Sequence, residues 1–205
     1  MEVDRPGPGE ELNTGDTVPA RQAATAIVLR DTRDGIEVLL VQRNPEQRFM
    51  GGAWVFPGGG VKDDDADHAG AALRELEEEA GMRLADTDRL VPFSRWITPA
   101  EVKIRFDTFF FVAESPPDAE PHVDGSECVD ARWITPAGAL EAYQRDEMTL
   151  VFPTIKHLEE LTGFASVEQV LASARERTVT AVQPRVIVGE KGATVLMPGE
   201  PGYDD

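Results

Sequence analysis

The chain has 205 residues, enough for one domain with a real core, and a formal net charge of −18 at pH 7. So acidic a surface repels nucleic acid and anionic membranes, and neither is expected as a partner. A single cysteine, Cys128, excludes an internal disulfide; with no signal-peptide start and no apolar run of membrane length, the sequence predicts a cytoplasmic location.

The first part of the chain predicts a tail followed by strands. Residues 1–18 are polar, acidic and rich in Pro and Gly, which predicts a mobile tail. Residues 23–31 and 36–43 are rich in apolar and β-branched residues and predict two antiparallel strands joined by the turn TRDG. A short extended piece, AWVF at residues 53–56, leads into the glycine run of residues 58–60.

A helix is predicted after the glycine run, and further strands after the helix. The helix is marked by an apolar stripe at helical spacing, which consists of Ala69, Ala72, Leu73, Leu76 and Ala80. Gly81 is placed to cap the C-terminus of this helix. Residues 90–97, 105–114 and 128–134 predict strands, because their Phe, Val and Ile content suits a buried sheet.

The C-terminal third predicts helices and a hairpin. Three helices are expected, over residues 136–146, 153–163 and 166–178. The segment VIVGEKGATVLM, residues 186–197, predicts the hairpin. The alternation of strands and helices predicts an α/β fold with a mixed sheet covered by helices. We expect one domain over residues 19–163 and a C-terminal appendage of a helix and the hairpin over residues 164–205.

The first predicted helix carries a cluster of acids. Glu75, Glu78 and Glu79 lie at positions i, i+3 and i+4, so their carboxylates share one face of the helix. Each like-charge pair costs an isolated helix roughly 0.2–0.5 kcal/mol, and a hard divalent cation held by the same oxygens reverses that cost. Backbone carbonyls of the glycine run are further oxygen ligands within reach. In a chain this acidic, the alternative is a plain solvated acidic face.

The glycine run and the acids together resemble the Nudix box, G-x5-E-x7-R-E-U-x-E-E-x-G-U, in which U is aliphatic. Gly60 takes the place of the first glycine, and RELEEEAGM at residues 74–82 matches the second half at the correct distance. The first glutamate of the box falls at Ala66, a departure from the pattern. Asp65 and Asp67 flank this position, and either is a candidate to support the box arginine instead.

The resemblance implies a fold and a chemistry. The fold is a Nudix-type α/β/α sandwich around a mixed sheet, over roughly residues 20–162. The chemistry is hydrolysis of a diphosphate that links a nucleoside to another group, in which Mg²⁺ or Mn²⁺ neutralises phosphate oxygens and lowers the pKa of the attacking water. The implied metal ligands are Glu75, Glu78, Glu79 and the carbonyl of Gly59. Arg74 would orient the glutamates, and the general base is a box glutamate or Glu127 from a later loop.

A second, shorter resemblance concerns the substrate. The segment LLVQRNPEQRFMGGAWVFPGG, residues 39–59, is similar to LLTxRSA-x3-R-x3-G-x3-FPGG of Nudix enzymes that cleave coenzyme A, but its middle is one residue shorter and Asn44 replaces the serine. The implied substrate is coenzyme A or acyl-CoA, whose phosphates suit cationic side chains. The candidate phosphate-binding residues are Arg43, Arg48, Lys103 and Arg105. Trp54 and Trp96 are candidates to stack on the adenine, with a place in the core as the alternative for each.

Two alternatives stay open for the function. The same chemistry on ADP-ribose, another nucleotide sugar or a nucleoside triphosphate is the nearer one. A catalytically inactive Nudix-like module that binds a nucleotide is the other, and Ala66 is the main argument for it. Homodimers are common among Nudix enzymes, so the C-terminal helix and hairpin are a candidate dimer contact.

Overall fold

The computed structural model describes residues 2–3, 11–13, 15–123, 125–189 and 192–204. The helices are α1 (His68–Ala80), α2 (Pro136–Gln144), α3 (Phe152–Leu161) and α4 (Val167–Glu176), with a 3-10 turn at Thr87–Arg89. The strands are β1 (Glu2–Val3), β2 (Arg21–Thr32), β3 (Gly35–Arg43), β4 (Trp54–Val55), β5 (Gly58–Gly60), β6 (Val91–Ile97), β7 (Phe106–Glu114), β8 (Cys128–Ile134), β9 (Ala181–Val182), β10 (Arg185–Gly189) and β11 (Gly192–Leu196). None of the helices in these ranges is long and apolar enough to cross a membrane.

The main sheet is mixed, as predicted. Its strand order is β4-β3-β2-β7-β6-β9, with β5 paired to β2 and β8 paired to β3. The β2–β7 pair is parallel, whereas β2 is antiparallel to both β3 and β5. A second, smaller sheet has the order β1-β11-β10.

Helices cover both faces of the main sheet, which confirms the predicted α/β class and the sandwich architecture. The central strand β2 is buried along most of its length, and its side chains alternate between two cores. Ile27 and Leu29 pack in the core that includes α2, α3 and α4. Ala26 and Val28 pack in the core that includes α1. Because both faces are covered, β2 is a continuous apolar run instead of an alternating one.

The predicted division of the chain at residue 163 does not coincide with a change in packing. Val167, Val170 and Ala174 of α4 are buried in the same core as α2 and α3. Strand β9 continues the main sheet by pairing with β6. The reason is the apolar stripe of α4, which closes one face of the sheet. The hairpin predicted at the C-terminus is formed by β10 and β11, which pair antiparallel from Arg185↔Leu196 to Gly189↔Gly192.

The predicted mobile tail is attached to the rest of the chain wherever it is described. Strand β1 pairs with β11. Leu12 forms a bridge with Val102, and the Asn13 N–H donates to the Glu101 carbonyl at 2.7 Å. Residues 1, 4–10 and 14 lie outside the described residues, so the prediction is not addressed there.

Helix α1 and the glycine strand β5 are the two elements that build the candidate site. Asp67 caps α1, with its carboxylate accepting from the Gly70 N–H at 2.8 Å. Gly81 ends the helix as predicted, because its φ of 63° lies in the left-handed region that glycine tolerates. Leu76 and its apolar neighbours bury one side of α1 against β2. The adjacent acidic side of α1 therefore lies beside β5.

Candidate metal and diphosphate site

Two carboxylates of α1 lie directly on the backbone of the glycine strand. Glu75 is 6% exposed and Glu79 is 2% exposed. The Glu79 carboxylate accepts a hydrogen bond from the Gly58 N–H at 2.9 Å. A Cβ placed on Gly59 would lie 2.5 Å from a Glu75 carboxylate oxygen, so only glycine leaves room for this contact. Gly59 is thus required by the close approach of Glu75, whereas Gly58 is required because a Cβ there would meet Thr25 and the Ala24 carbonyl of β2.

Glu79 is the electrostatically most perturbed of these acids. Burial raises the pKa of its carboxyl to about 7, although the hydrogen bond from Gly58 and the charge of Arg43 act in the opposite direction. An Arg43 guanidinium nitrogen lies 3.7 Å from a Glu79 carboxylate oxygen. The neighbouring Cys128 is fully buried, and burial raises the pKa of its thiol to about 12. Cys128 is therefore a neutral packed side chain beside Glu79.

Arg74 ties the glycine strand and the acids together. Its guanidinium donates to Glu75 at 2.6 Å, to Glu78 at 2.9 Å and to the Gly60 carbonyl at 3.0 Å. It also forms two parallel hydrogen bonds of 2.9 Å with the Asp65 carboxylate. These bonds hold the pKa of the Asp65 carboxyl at about 2 and raise the pKa of Arg74 above its ordinary value. One guanidinium thereby fixes the positions of four groups.

Glu78 stands apart from the other two acids. Its side chain is half-exposed, and besides Arg74 it pairs with Lys62 at 3.2 Å. In the described ranges, no three His, Cys, Asp or Glu side chains are placed to hold a metal ion together. Arg74 and Lys62 engage the Glu78 carboxylate, whereas Glu79 is bonded to the Gly58 backbone. The predicted shared face exists on the helix, but the three carboxylates do not converge.

The donor set nevertheless fits a hard divalent cation. The oxygens at this site belong to carboxylates and to the β5 backbone, which is the ligand chemistry that Mg²⁺ and Mn²⁺ prefer. Two of the carboxylates, Glu75 and Glu79, are buried and lie next to each other across Gly58 and Gly59. Burial, with the charges of Glu75 and Glu127, disfavours the ionised form of Glu79 and raises its pKa, and a bound cation would favour that form.

A cavity of about 380 Å³ opens beside these acids, and its two ends differ. What we call the acid end is lined by Gly58, Gly59, Gly60, Glu75, Glu79, Arg43 and Glu127. What we call the apolar end is lined by Trp96, Ile97, Val102, Ile104, Phe106, Phe152, Pro184, Val186 and Val195. Glu127 is exposed at the edge of the cavity, and its backbone carbonyl accepts from the Asn44 N–H at 2.9 Å.

Strand register sets the distance between the two ends. Gly60, Ala23, Thr108 and Trp96 form one row across β5, β2, β7 and β6. Three strand spacings separate Gly60 from Trp96, which is roughly 14 Å. The side chains of Ala23, Thr108 and Trp96 all line the cavity. The cavity therefore runs across the sheet, away from the acids.

Three of the four predicted phosphate-binding residues are placed elsewhere. The Arg105 guanidinium is buried and donates to the carbonyls of Val18, Thr98 and Pro99, so it stabilises the backbone and is not available to a phosphate. Lys103 is exposed and pairs with Glu11 at 2.9 Å. Arg48 is exposed, does not line the cavity, and lowers the pKa of the same Glu11 through its charge. Arg43 alone among the four lines the cavity.

The prediction that Trp54 stacks on the substrate is wrong. Trp54 is 3% exposed and belongs to the core. Its ring is covered by the Arg132 guanidinium, 4.6 Å from the ring centroid. Trp96, which sequence reasoning could not separate from Trp54 in this role, lines the apolar end instead. The Trp54 side chain packs into the core, and nothing in the local sequence reveals which way this side chain points.

The apolar end contains residues that the sequence did not single out. Phe152 lies beside Trp96, with ring centroids 6.1 Å apart. The ring centroids of Phe49 and Phe106 lie 5.8 Å apart. Val186 and Val195 come from the hairpin, which is far along the chain. Their hydrophobicity was the one available signal, and it does not distinguish a cavity wall from a core.

The fold and the acid end of the cavity together define a class of protein. A family model described as NUDIX domain matches residues 20–154, the greater part of the chain. The chain belongs to this family and is a Nudix hydrolase. Hydrolases of this family generally need divalent metal ions, which agrees with the oxygen-rich acid end.

Relatives with the same domain occur in distant organisms. The chain is 26% identical to putative nudix hydrolase 7 of Caenorhabditis elegans, over 93% of this chain and 77% of the relative. It is 44% identical over 64 residues to a probable nudix hydrolase of Schizosaccharomyces pombe, which is 31% of this chain and 22% of the relative. The uncharacterized Nudix hydrolase NudL of Escherichia coli is 44% identical over 68 residues, 33% of this chain and 34% of the relative. The chain thus aligns with only a fifth to a third of these last two relatives.

A solved structure with the same fold supports the assignment. The crystal structure of a NUDIX hydrolase from Alicyclobacillus acidocaldarius superposes with a TM-score of 0.69 at 28% identity. The superposition covers 76% of this chain and 96% of that structure.

Proposed function

We propose that this Nudix hydrolase cleaves the diphosphate linkage of coenzyme A or acyl-CoA, giving adenosine 3′,5′-bisphosphate and (acyl-)phosphopantetheine. The observation that carries the proposal is the pair of buried acids, Glu75 and Glu79, packed on a glycine backbone at one end of a cavity. The similarity of residues 39–59 to the segment of coenzyme A-cleaving enzymes supports the choice of substrate. Arg43 of that segment lines the acid end, where it is placed to contact a phosphate.

The reaction adds water across one P–O–P bridge. The water oxygen joins one phosphorus, the bridging oxygen leaves with the other, and a proton passes to a base. When bound, Mg²⁺ or Mn²⁺ supplies neutralisation of the phosphate oxygens and acidification of the water. Glu75, Glu78, Glu79 and the Gly59 carbonyl are the groups that we assign to hold it. Arg74 fixes Glu75 and Glu78 through its hydrogen bonds.

The proton acceptor is assigned to a carboxylate at the acid end. Glu127 lines the cavity and is exposed, so a water reaches it from solvent. Glu79 is the alternative, because it is a glutamate of the Nudix box whose carboxylate also lines the acid end. Glu127→Gln with retained turnover would favour Glu79.

The alternative substrates come from the same chemistry. The NUDIX domain of Shewanella oneidensis NrtR has been solved with ADP-ribose, and a Caenorhabditis elegans Ap4A hydrolase shares the fold. At 18% and 20% identity, these likenesses bear on the fold alone. ADP-ribose and dinucleoside polyphosphates therefore belong in the assay as competitors.

A substrate panel tests the proposal. The protein is incubated with Mg²⁺ or Mn²⁺ and equal concentrations of CoA, acyl-CoA, ADP-ribose, a nucleotide sugar, Ap4A and a nucleoside triphosphate, and products are identified by mass spectrometry. We expect adenosine 3′,5′-bisphosphate as the main product, and none with EDTA. Faster turnover of ADP-ribose than of CoA would overturn the choice of substrate. Binding of a nucleotide without hydrolysis of any would instead favour the inactive module.

Two further expectations belong to the same proposal. A cytoplasmic location is proposed on the single cysteine, a neutral and buried thiol. A homodimer is proposed on the resemblance to Nudix enzymes, and light scattering after size exclusion tests it. A monomer at micromolar concentration would remove the dimer from the proposal without affecting the reaction.

A further inference from the structure

We propose that the C-terminal hairpin is a specificity wall: it receives the uncharged, mainly apolar group attached to the diphosphate, which in a coenzyme A substrate is the pantetheine arm. This inference rests on the proposed function and names which half of the substrate enters the cavity. Pro184, Val186 and Val195 line the apolar end. All three lie outside residues 20–154, the range that the NUDIX domain matches.

The hairpin presents one face to the cavity and the other to solvent. Val186 and Val195 are cross-strand partners in the β10–β11 ladder, so their side chains lie on the same face. Both line the cavity. Ile187, the next residue along β10, points to the opposite face and is 40% exposed. Two adjacent residues of one strand therefore have opposite environments.

Polar contacts outside the cavity fix this wall. The Glu101 carboxylate accepts a hydrogen bond from the Val186 N–H at 3.2 Å. The loop that carries Glu101 is held in turn by Arg105, whose guanidinium donates to the carbonyls of Thr98 and Pro99. Lys103, which lies on the same loop, pairs with Glu11 of the N-terminal segment. Arg105 and Lys103, two of the four basic residues that the sequence suggested for phosphate binding, thus belong to the loop that supports the wall.

The charge distribution decides which half of the substrate enters. Among the described residues that line the cavity, Arg43 at the acid end is the one cationic side chain. At the apolar end the polar groups are few, and a threonine such as Thr98 supplies a hydroxyl and no charge. A phosphate placed there would lose its hydration without gaining a cation, which is strongly unfavourable. The 3′-phosphate half of coenzyme A is therefore assigned to the outside of the cavity, and the uncharged arm to the inside.

The dimensions agree with a linear group. The row from Gly60 to Trp96 spans roughly 14 Å of sheet, and the next residue of the row is Val182 of β9, two residues before Pro184 of the cavity lining. A chain that starts at a diphosphate above Glu75 and Glu79 reaches the hairpin if it is extended along this row. A compact ribose at the same diphosphate would leave the apolar end unfilled.

Removal of the 3′-phosphate from the substrate tests the orientation. We expect 3′-dephospho-CoA to be cleaved with a kcat/KM within about threefold of that for CoA, because no cation in the cavity is assigned to that phosphate. A charge-assisted bond of 1.5–3 kcal/mol would instead make the difference roughly 10- to 100-fold. A loss of kcat/KM above tenfold would overturn the orientation.

Charge placed on the two faces of the hairpin tests the wall. Val186→Asp introduces a carboxylate at the apolar end and is expected to lower kcat/KM for CoA at least tenfold, mainly through KM. Ile187→Asp, the matched control, introduces the same charge on the solvent face and is expected to change kcat/KM less than twofold. Val195→Asp repeats the test from the opposite strand, in case Val186→Asp fails to fold by circular dichroism.

The outcomes separate this inference from the proposed function. Turnover of CoA by the wild type, with equal kcat/KM in the Val186→Asp and Ile187→Asp proteins, would refute the wall and leave the proposed function standing. Absence of CoA turnover by the wild type under the same conditions would refute the proposed function, and the inference with it. A selective rise of KM in Val186→Asp or Val195→Asp supports the inference.

Discussion

Arg74 and Asp65 form a two-pronged ion pair, with both guanidinium–carboxylate hydrogen bonds at 2.9 Å. Asp65 stands one residue before Ala66, the position at which the Nudix box has its first glutamate. The other flanking acid, Asp67, is engaged in capping α1. Asp65 therefore binds Arg74 in place of the box glutamate that Ala66 replaces. It acts on Glu75 and Glu78 through Arg74.

Asp65→Asn is expected to lower activity by roughly 10- to 100-fold, the range typical when a residue that orients metal ligands is lost. In the metal-free protein, the substitution should also remove the part of the pH dependence of the free energy of unfolding that Asp65 causes. The pKa of Asp65 is about 2 in the folded state and 3.8 in the unfolded state. Because the folded value is lower, its contribution is present above pH 4 and is lost as the pH falls from 4 to 2. We expect this contribution of Asp65 to the free energy of unfolding to be about 1–2 kcal/mol, measured by urea unfolding.

Two further variants show whether the carboxylate itself matters. The double variant Asp65→Ala with Ala66→Glu restores the usual box and should recover most of the lost activity. Asp64→Asn, which alters an exposed acid of the same loop, is the control and should have wild-type activity and unfolding. Failure of Asp65→Asn to change either property would remove Asp65 from this role.

Glu78→Gln is expected to reduce turnover by at least about 100-fold, because the loss of a ligand charge weakens electrostatic stabilisation worth several kcal/mol. The fold should survive, since the Glu78 side chain is half-exposed and its ion pairs with Arg74 and Lys62 lie at the surface of the helix. Circular dichroism and the midpoint of thermal unfolding check the fold. Glu77→Gln is the control on the same helix, and its side chain pairs with Arg83 away from the site. Equal activity of the two variants would refute the assigned ligand.

Gly59→Ala is expected to lower activity roughly 10- to 100-fold, because the new Cβ would meet a Glu75 oxygen at 2.5 Å and displace the carboxylate. The control is Gly70→Ala on α1, where the new Cβ would be 3.6 Å or more from its neighbours. Because alanine favours a helix, this control should gain up to about 1 kcal/mol of stability. Affinity for Mn²⁺, followed by calorimetry, should fall in Gly59→Ala and not in Gly70→Ala.

His157 should make stability depend on pH between 4 and 6.5. Burial is the main reason that its pKa is lowered from 6.5 to about 4. Its Nδ1–H donates to the Pro153 carbonyl at 2.7 Å, and its Nε2 accepts from the Ser94 hydroxyl at 2.6 Å. A lowered folded-state pKa means that stability is complete above pH 6.5 and falls as the pH drops to 4. The loss reaches about 3 kcal/mol at 1.36 kcal/mol per pKa unit.

A non-titrating variant isolates this effect. His157→Phe should flatten the curve of unfolding free energy between pH 6.5 and 4, whatever its absolute stability. His122→Gln alters an exposed histidine and should keep the wild-type slope. An unchanged slope in His157→Phe would show that other groups cause the acid sensitivity.

Local sequence patterns were enough to predict most helices and strands of the fold. The box helix was predictable because its apolar stripe, its C-terminal glycine and its acids all follow one helical period. The strands of the sheet were predictable because buried segments are rich in Val, Phe and Ile. Strand β5 was not, because three glycines carry no pattern and pair with β2 only through their backbone.

Side-chain roles that depend on distant contacts could not be predicted in the same way. Arg105 reads as a phosphate-binding cation in the sequence, but its three acceptor carbonyls come from residues on two separate loops. Trp54 and Trp96 have equal claims in the sequence, and only tertiary packing places Trp54 in the core and Trp96 on the cavity wall.

The sequence by itself determined the family, the acids and the glycines, because a short motif encodes both the helix face and the turn that meets it. Tertiary structure alone decided that Asp65 supports Arg74 and that residues of a C-terminal hairpin line the cavity. The physical reason is distance along the chain. Periodicity reports which residues share a face, whereas the identity of the group opposite that face is set by how remote segments pack.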